Sequence, residues 1–201
     1  MYLRQPPNEF RDLSQIEGLR MNILYGTAQN FTSQPLPGYG ASGAWMLESG
    51  FHQLQKVSMM AAQQGLGLFV WDAYRPRRAT LAMIRWADST GNSHLVEEGY
   101  IARRSRHNSG AALDLSLYDF SSGELLDMGT EWDCFTVASH TLQTTGRSLQ
   151  NRLLLQRLMT SHGFVEYEKE WWHFEMQNAG QYSLRDIPYG LSEPDEDSSI
   201  C

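Results

Sequence analysis

From Trp45 to Gln64 the apolar residues Leu47, Phe51, Leu54, Val57 and Ala61 recur every three or four positions, the spacing that gathers side chains on one side of a helix. Gly65 follows as its stop. Leu66 to Trp71 is a continuous apolar run of a length suited to a buried strand. Pro76 then stands where a second helix would start, and Ala79, Ala82, Met83 and Trp86 give that helix an apolar stripe to about Ala87. At Leu113 the period changes to two: Leu113, Leu115 and Leu117 alternate with Asp114 and Ser116, so a strand here carries leucines on one face and a carboxylate on the other. Ser121-Ser122-Gly123 marks a turn, after which Glu124 to Leu126 is expected to return as a hairpin strand. Helical spacing resumes in Leu149, Leu153, Leu154 and Leu158, bounded by Ser148 as cap and Gly163 as stop. In a final strand Trp172, Phe174 and Met176 share one face, and Trp171, His173 and Glu175 the other.

The remaining stretches lack periodicity. Residues 1 to about 18 read as a loosely docked arm, Asn22 to Gly40 as an irregular segment lying over the domain, and Ser89 to Gly99 as a loop. Residues 1–191 are expected to form one domain and residues 192–201 an acidic, disordered tail. At 201 residues the chain can bury a core without disulfide staples, and its two cysteines, Cys134 and Cys201, are poor partners for each other; Cys134 is expected to be buried and inert. A net charge of −7 without a basic stripe argues against nucleic acid as a partner. Arg77-Arg78 and Arg103-Arg104 with Arg106 read as solvated surface or as a cationic wall near a site. No run is long enough to cross a bilayer and the first residues lack an apolar signal core, so the expected location is the cytoplasm, or the periplasm if a leader has been removed. Oligomeric state stays open.

Chemistry concentrates in two stretches, Ser105 to Asp114 and Glu170-Trp171-Trp172-His173. Two imidazoles and one carboxylate, from His107, His173 and Asp114, are a ligand set that leaves an open position on one tetrahedral Zn2+. A water placed there loses its proton near neutral pH, and Glu170 stands ready to take it. His107 and Asp114 cannot share a metal from one straight helix, because seven residues rise about 10.5 Å. They need a loop feeding a strand, with Gly110 and Ala111-Ala112 permitting the tight turn between. Glu170 lies at an odd separation from His173, so both reach one ion only if the chain bends; Glu170 is expected at the start of the strand, in or beside a turn. His52, His94 and His140 fit no ligand pattern.

Ser-x-His-x-x-Gly-x-Ala-x-Asp followed by Glu-x-Trp-His resembles the zinc D-alanyl-D-alanine dipeptidases, the VanX-type enzymes among the D,D-peptidases. Trp71-Asp72-Ala73-Tyr74-Arg75-Pro76 is similar to a third block of that family, in the same order, and the resemblance runs from about Leu19 to about Pro188. It implies an α+β fold: a small, mainly antiparallel sheet with helices packed on one face and the zinc site on the other. It also implies hydrolysis of the small dipeptide D-alanyl-D-alanine to two D-alanines. By the same resemblance Arg75 stabilises the oxyanion, where the residues alone leave a structural salt bridge to Asp72 equally open. Asp133 would meet the substrate's amino group, and Tyr25 and Tyr39 would touch the dipeptide from the cover segment. The Ser105 hydroxyl is available to donate to the substrate carboxylate. A D,D-carboxypeptidase acting on longer peptidoglycan stems and a non-catalytic zinc-binding module remain as alternatives, and so do roles in glycopeptide resistance and in D-alanine recycling.

Overall fold

Two ordered patterns in the sequence, the apolar alternation around Leu115 and that around Phe174, become two adjacent inner strands of a five-stranded sheet. The computed structural model describes residues 6–39 and 43–190. Gly40, the tail expected from residue 192 and Cys201 lie outside the described residues. The sheet is built from β2 (Leu19–Met21), β4 (Leu66–Asp72), β5 (Ala112–Asp119), β6 (Phe164–Tyr167) and β7 (Glu170–Met176), in the order β2-β4-β5-β7-β6. Only β2 and β4 run parallel; the other neighbours are antiparallel. A separate two-stranded ribbon pairs β1 (Phe10–Asp12) with β3 (Trp45–Leu47).

Leu68, Val70, Leu113, Leu115 and Leu117 are fully buried and lie on one face, as the pairs Leu68 with Leu117 and Val70 with Leu115 require. Helix α1 (Glu48–Ala62) covers this face with Phe51, Leu54, Val57 and Ala61, and α4 (Gly146–Thr160) packs beside it against β6 and β7. Each such aliphatic side chain contributes roughly 1.5–3 kcal/mol on leaving water, so this layer holds the domain together. Helix α2 (Arg77–Ser89) lies instead toward the other face, where Thr80 receives a hydrogen bond from Asn108 and Met83 meets Arg75.

Two register shifts aim side chains at that second face. Between Val70 and Asp72 the β4 register slips, so Asp72 comes opposite Asp114 rather than sharing the side of Val70. Between Glu166 and Tyr167 the β6–β7 register slips as well, and Tyr167 pairs with Glu170. Glu170 opens β7 directly after the turn at Glu168 and Lys169, where the sequence expects it.

Several expectations need correction. The arm expected at residues 1–18 is, from residue 6 onward, part of the body of the domain: Phe10, Leu13 and Ile16 are buried and β1 pairs along its length. A strand of this shortness shows no periodicity, which hid it. Phe10 also seats the turn after His107, since Gly110 has φ of +77° and a β-carbon there would lie 2.3 Å from the Phe10 ring. Helix α1 begins only at Glu48, because Trp45–Leu47 is claimed by β3. Helix α4 starts at Gly146; Ser148 is not its cap, and its hydroxyl donates to Asp127 at 2.8 Å. The hairpin strand expected at Glu124–Leu126 reduces to one isolated bridge, Tyr118 with Leu125, and the loop expected at Ser89–Gly99 contains the short helix α3 (His94–Glu97).

The long segment from Met128 to His140 has little regular structure, and a buried arginine of α4 fastens it. Arg152 donates from Nε to the carbonyl of Met128 at 2.6 Å, from one terminal nitrogen to that of His140 at 2.7 Å, and from the other to that of Ala138 at 3.0 Å. Cys134, on the same segment, is half-exposed and a free thiol rather than a buried one. Among the described residues no helix is long and apolar enough to cross a membrane.

Candidate active site

Ser105 starts the 3₁₀ turn Arg106–Ser109 by accepting a hydrogen bond from the His107 backbone N–H at 3.3 Å. Gly110 then reverses the chain into β5, which delivers Asp114 seven residues after His107. The His107 Nδ1–H donates to the Ala73 carbonyl at 2.7 Å, which leaves Nε2 pointing away from β4. Across the β5–β7 pair Asp114 lies opposite His173.

The three donor atoms meet closely. His107 Nε2 is 3.0 Å from His173 Nδ1, His173 Nδ1 is 3.0 Å from Asp114 Oδ1, and His107 Nε2 is 3.3 Å from the same oxygen. Ligand atoms bound tetrahedrally to zinc at about 2.0–2.1 Å lie about 3.3 Å apart, so this triangle is of the right size for that ion. All three residues are buried, and they form the one group of metal-ligating side chains found among the described residues.

Charge tells the same story. Burial opposes a proton on His173, yet its hydrogen bonds to Asp114 and Glu175 and the charges of Asp114 and Glu170 raise its pKa to about 10. Burial likewise opposes ionisation of Asp114, but the imidazoles of His107 and His173 hold its carboxyl well below the usual range. In the metal-free chain a proton therefore supplies the positive charge that this cluster of carboxylates demands.

Around the triad lies a cavity of about 470 Å³, lined by Arg75, Ser105, Asp133, Glu170 and Tyr25 together with the three donors. Glu170 Oε2 is 4.0 Å from His173 Nδ1, and burial, aided by Asp114, pushes the Glu170 carboxyl up to about 8. Arg75 is held by Asp72, whose Oδ2 accepts from Nε at 2.9 Å and lies 2.9 Å from a terminal nitrogen; that same nitrogen is 3.8 Å from Asp114 Oδ2. The guanidinium also sits 5.0 Å above the Tyr25 ring. Arg75 thus makes the salt bridge to Asp72 and faces the cavity as well, so the two readings open in the sequence are compatible.

Tyr25 lines the cavity and donates its hydroxyl to both oxygens of Asp133, at 3.1 and 2.9 Å. Asp133 has the left-handed backbone (φ 60°) rare outside glycine, and burial with the nearby Asp114 holds its carboxyl well above the usual range. Tyr39 stands elsewhere: its hydroxyl donates to Asp72 at 2.7 Å, and the ring does not line the cavity. His140 accepts or donates at Tyr100, 3.0 Å away, far from any ligand role.

Sequence reasoning gave Glu175 no role and left Arg106 as solvated surface or a cationic wall near a site; both line this cavity. Glu175 Oε1 is 3.4 Å from His173 Nε2, and Arg106 Nε is 3.8 Å from Glu175 Oε2. The signal was present, because Glu175 follows His173 by two positions and shares its face of the strand. Phe31, Phe135 and Tyr167, which complete the walls, carried no such signal.

Comparison with known proteins agrees with this geometry. The profile of the peptidase M15 family, D-ala-D-ala dipeptidase, matches residues 7–189. A D-alanyl-D-alanine dipeptidase of Enterococcus faecium is 35% identical over 192 aligned positions, covering 87% of this chain and 90% of that protein. One from Escherichia coli (strain K12) is 34% identical over 179 positions, covering 88% and 89%. Among solved structures, that of the LD-carboxypeptidase LdcB is alike in fold, with a TM-score of 0.50 at 16% identity over 85% of this chain and 68% of that one. Matched over nearly its whole length by the profile and at a third identity by curated relatives, this chain belongs to the peptidase M15 family, the zinc-dependent D-ala-D-ala dipeptidases.

Proposed function

We propose that this chain hydrolyses D-alanyl-D-alanine to two molecules of D-alanine, with one zinc ion held by His107, Asp114 and His173. The observation that carries the reading is the zinc-sized triangle of donor atoms on the floor of a cavity that also presents Glu170 and Arg75. When bound, zinc supplies Lewis acidity toward the scissile carbonyl and lowers the pKa of a water to about 7.

The protein's own groups supply the rest. Glu170, whose carboxyl burial pushes up to about 8, accepts in its ionised form a proton from the attacking water and returns it to the leaving amine. Arg75, whose orientation Asp72 fixes, donates to the carbonyl oxygen as it becomes negative. Asp133 meets the substrate ammonium; the arriving cation offsets the burial that otherwise disfavours a charge on this carboxyl. Tyr25 aligns Asp133, and Tyr39 acts one step further back by fixing Asp72. The Ser105 oxygen accepts from the His107 N–H, which leaves its own proton free for the substrate carboxylate. A grip on both charged ends of a dipeptide, inside about 470 Å³, disfavours longer peptides. We place the reaction in the cytoplasm, in keeping with the free thiol of Cys134.

The test compares turnover of D-alanyl-D-alanine with that of a pentapeptide ending in the same two residues, with and without chelator. The expected result is cleavage of the dipeptide alone, abolished by chelator and restored by zinc. Preference for the pentapeptide would replace the reading with a carboxypeptidase; no cleavage of either by the zinc-loaded chain would leave a binding module.

A further inference from the structure

We infer that Glu175, braced by Arg106, is a positioning residue that holds the His173 ring with Nδ1 toward the metal and so sets how firmly the site retains zinc. The inference rests on the metal reading above and adds to it an element outside the ligand set.

The two histidines present different nitrogens. His107 offers Nε2, because its Nδ1–H is committed to the Ala73 carbonyl at 2.7 Å. His173 offers Nδ1, the atom 3.0 Å from both Asp114 Oδ1 and His107 Nε2. A neutral imidazole that gives its Nδ1 lone pair to a metal carries its hydrogen on Nε2, and that hydrogen needs an acceptor if the tautomer and ring angle are to be fixed. Glu175 Oε1, at 3.4 Å, is the only hydrogen-bond partner of that nitrogen among the described residues.

Glu175 is itself held. Its second oxygen lies 3.8 Å from Arg106 Nε, and Arg106 immediately precedes His107 in the 3₁₀ turn. The ion pair therefore ties the element that bears one proposed ligand to the strand that bears the other. Both side chains are 35% exposed, so the pair itself adds little to folding stability. Its effect falls on the orientation of His173. His107 depends on a main-chain carbonyl that no side-chain substitution removes; His173 depends on a carboxylate that one substitution deletes.

The test measures the zinc dissociation constant by competition with a chromogenic chelator, together with the melting midpoint of the metal-free chain, for wild type, Glu175→Ala, Glu175→Gln and Arg106→Gln. Removal of a group that orients a metal-bound histidine costs roughly 10- to 100-fold in metal affinity, and that loss is expected for Glu175→Ala. Glu175→Gln should recover much of it, since its amide oxygen accepts the same Nε2–H, and Arg106→Gln should lose less than Glu175→Ala. The metal-free midpoints should coincide. Wild-type affinity in Glu175→Ala would overturn the inference, as would equal losses in the Ala and Gln variants or a matching fall in the metal-free midpoint of Glu175→Ala. If Glu175→Ala does not fold, the Gln and Arg106 variants decide by the same criteria. Failure of the wild type to bind zinc would instead overturn the metal reading on which this one stands.

Discussion

The two faces of the central strands are both buried, but by opposite means. On the α1 side Leu68, Val70, Leu113, Leu115 and Leu117 gain from leaving water, and nothing there needs a partner. On the other side Asp72, Arg75, Asp114, Glu170 and His173 are buried too, and each loses hydration that only a neighbouring charge, hydrogen bond or cation makes good. The first face therefore stabilises the domain, and the second is carried by it. One strand, β5, serves both, with Leu113 and Leu115 behind and Asp114 in front.

That contrast can be broken from either side. The largest effect is expected from His107→Ala or from stripping the metal: hydrolysis should fall to background while far-ultraviolet circular dichroism still reports a folded chain, because the leucine layer is untouched. Glu170→Gln should retain stoichiometric zinc by atomic emission yet lose about 10²- to 10⁴-fold in kcat, the usual worth of a general base. A Glu170→Gln enzyme with wild-type turnover would refute the assigned base. Arg75→Lys should cost about 10²- to 10³-fold in kcat, since a point charge replaces the fork that Asp72 holds. Leu115→Ala reverses the pattern: chemical denaturation should show a loss of about 2–5 kcal/mol, with activity per folded molecule unchanged. The smallest effect is one of pH. With its pKa near 10 in the metal-free chain, His173 is protonated through the neutral range, and zinc must displace that proton. Affinity should therefore rise as pH rises, by about tenfold per unit for one displaced proton, and a flat profile between about pH 6 and 8 would contradict it.

The apolar face was the more legible of the two. Alternation at Leu113, Leu115 and Leu117 and at Trp172, Phe174 and Met176 placed the strands and told which side chains turn inward, because the pleat has a fixed period. Asp114 and His173, two of the three proposed ligands, could be placed for the same reason, standing at the opposite phase, whereas His107 lies in a 3₁₀ turn outside that alternation. What periodicity cannot express is a break in itself, and the second face is built on two such breaks, beside Asp72 and beside Glu170. The need for a bend at Glu170 was visible as an odd spacing, but its cause lay in the partner strand. Tyr39 shows another limit: an irregular segment brings it to Asp72 rather than into the cavity, and nothing local in the chain specifies that meeting. The ribbon of β1 and β3 escaped because its strands are three residues each and pair across a long separation.

Arg152 bears on traffic. Fastened to α4 through three of its carbonyls, the stretch that carries Asp133 cannot swing aside without stranding a guanidinium in the interior. The segment that brings Asp133 to the cavity is therefore a fixed wall, and the exposed stretch Ala102–Arg104 borders the same cavity.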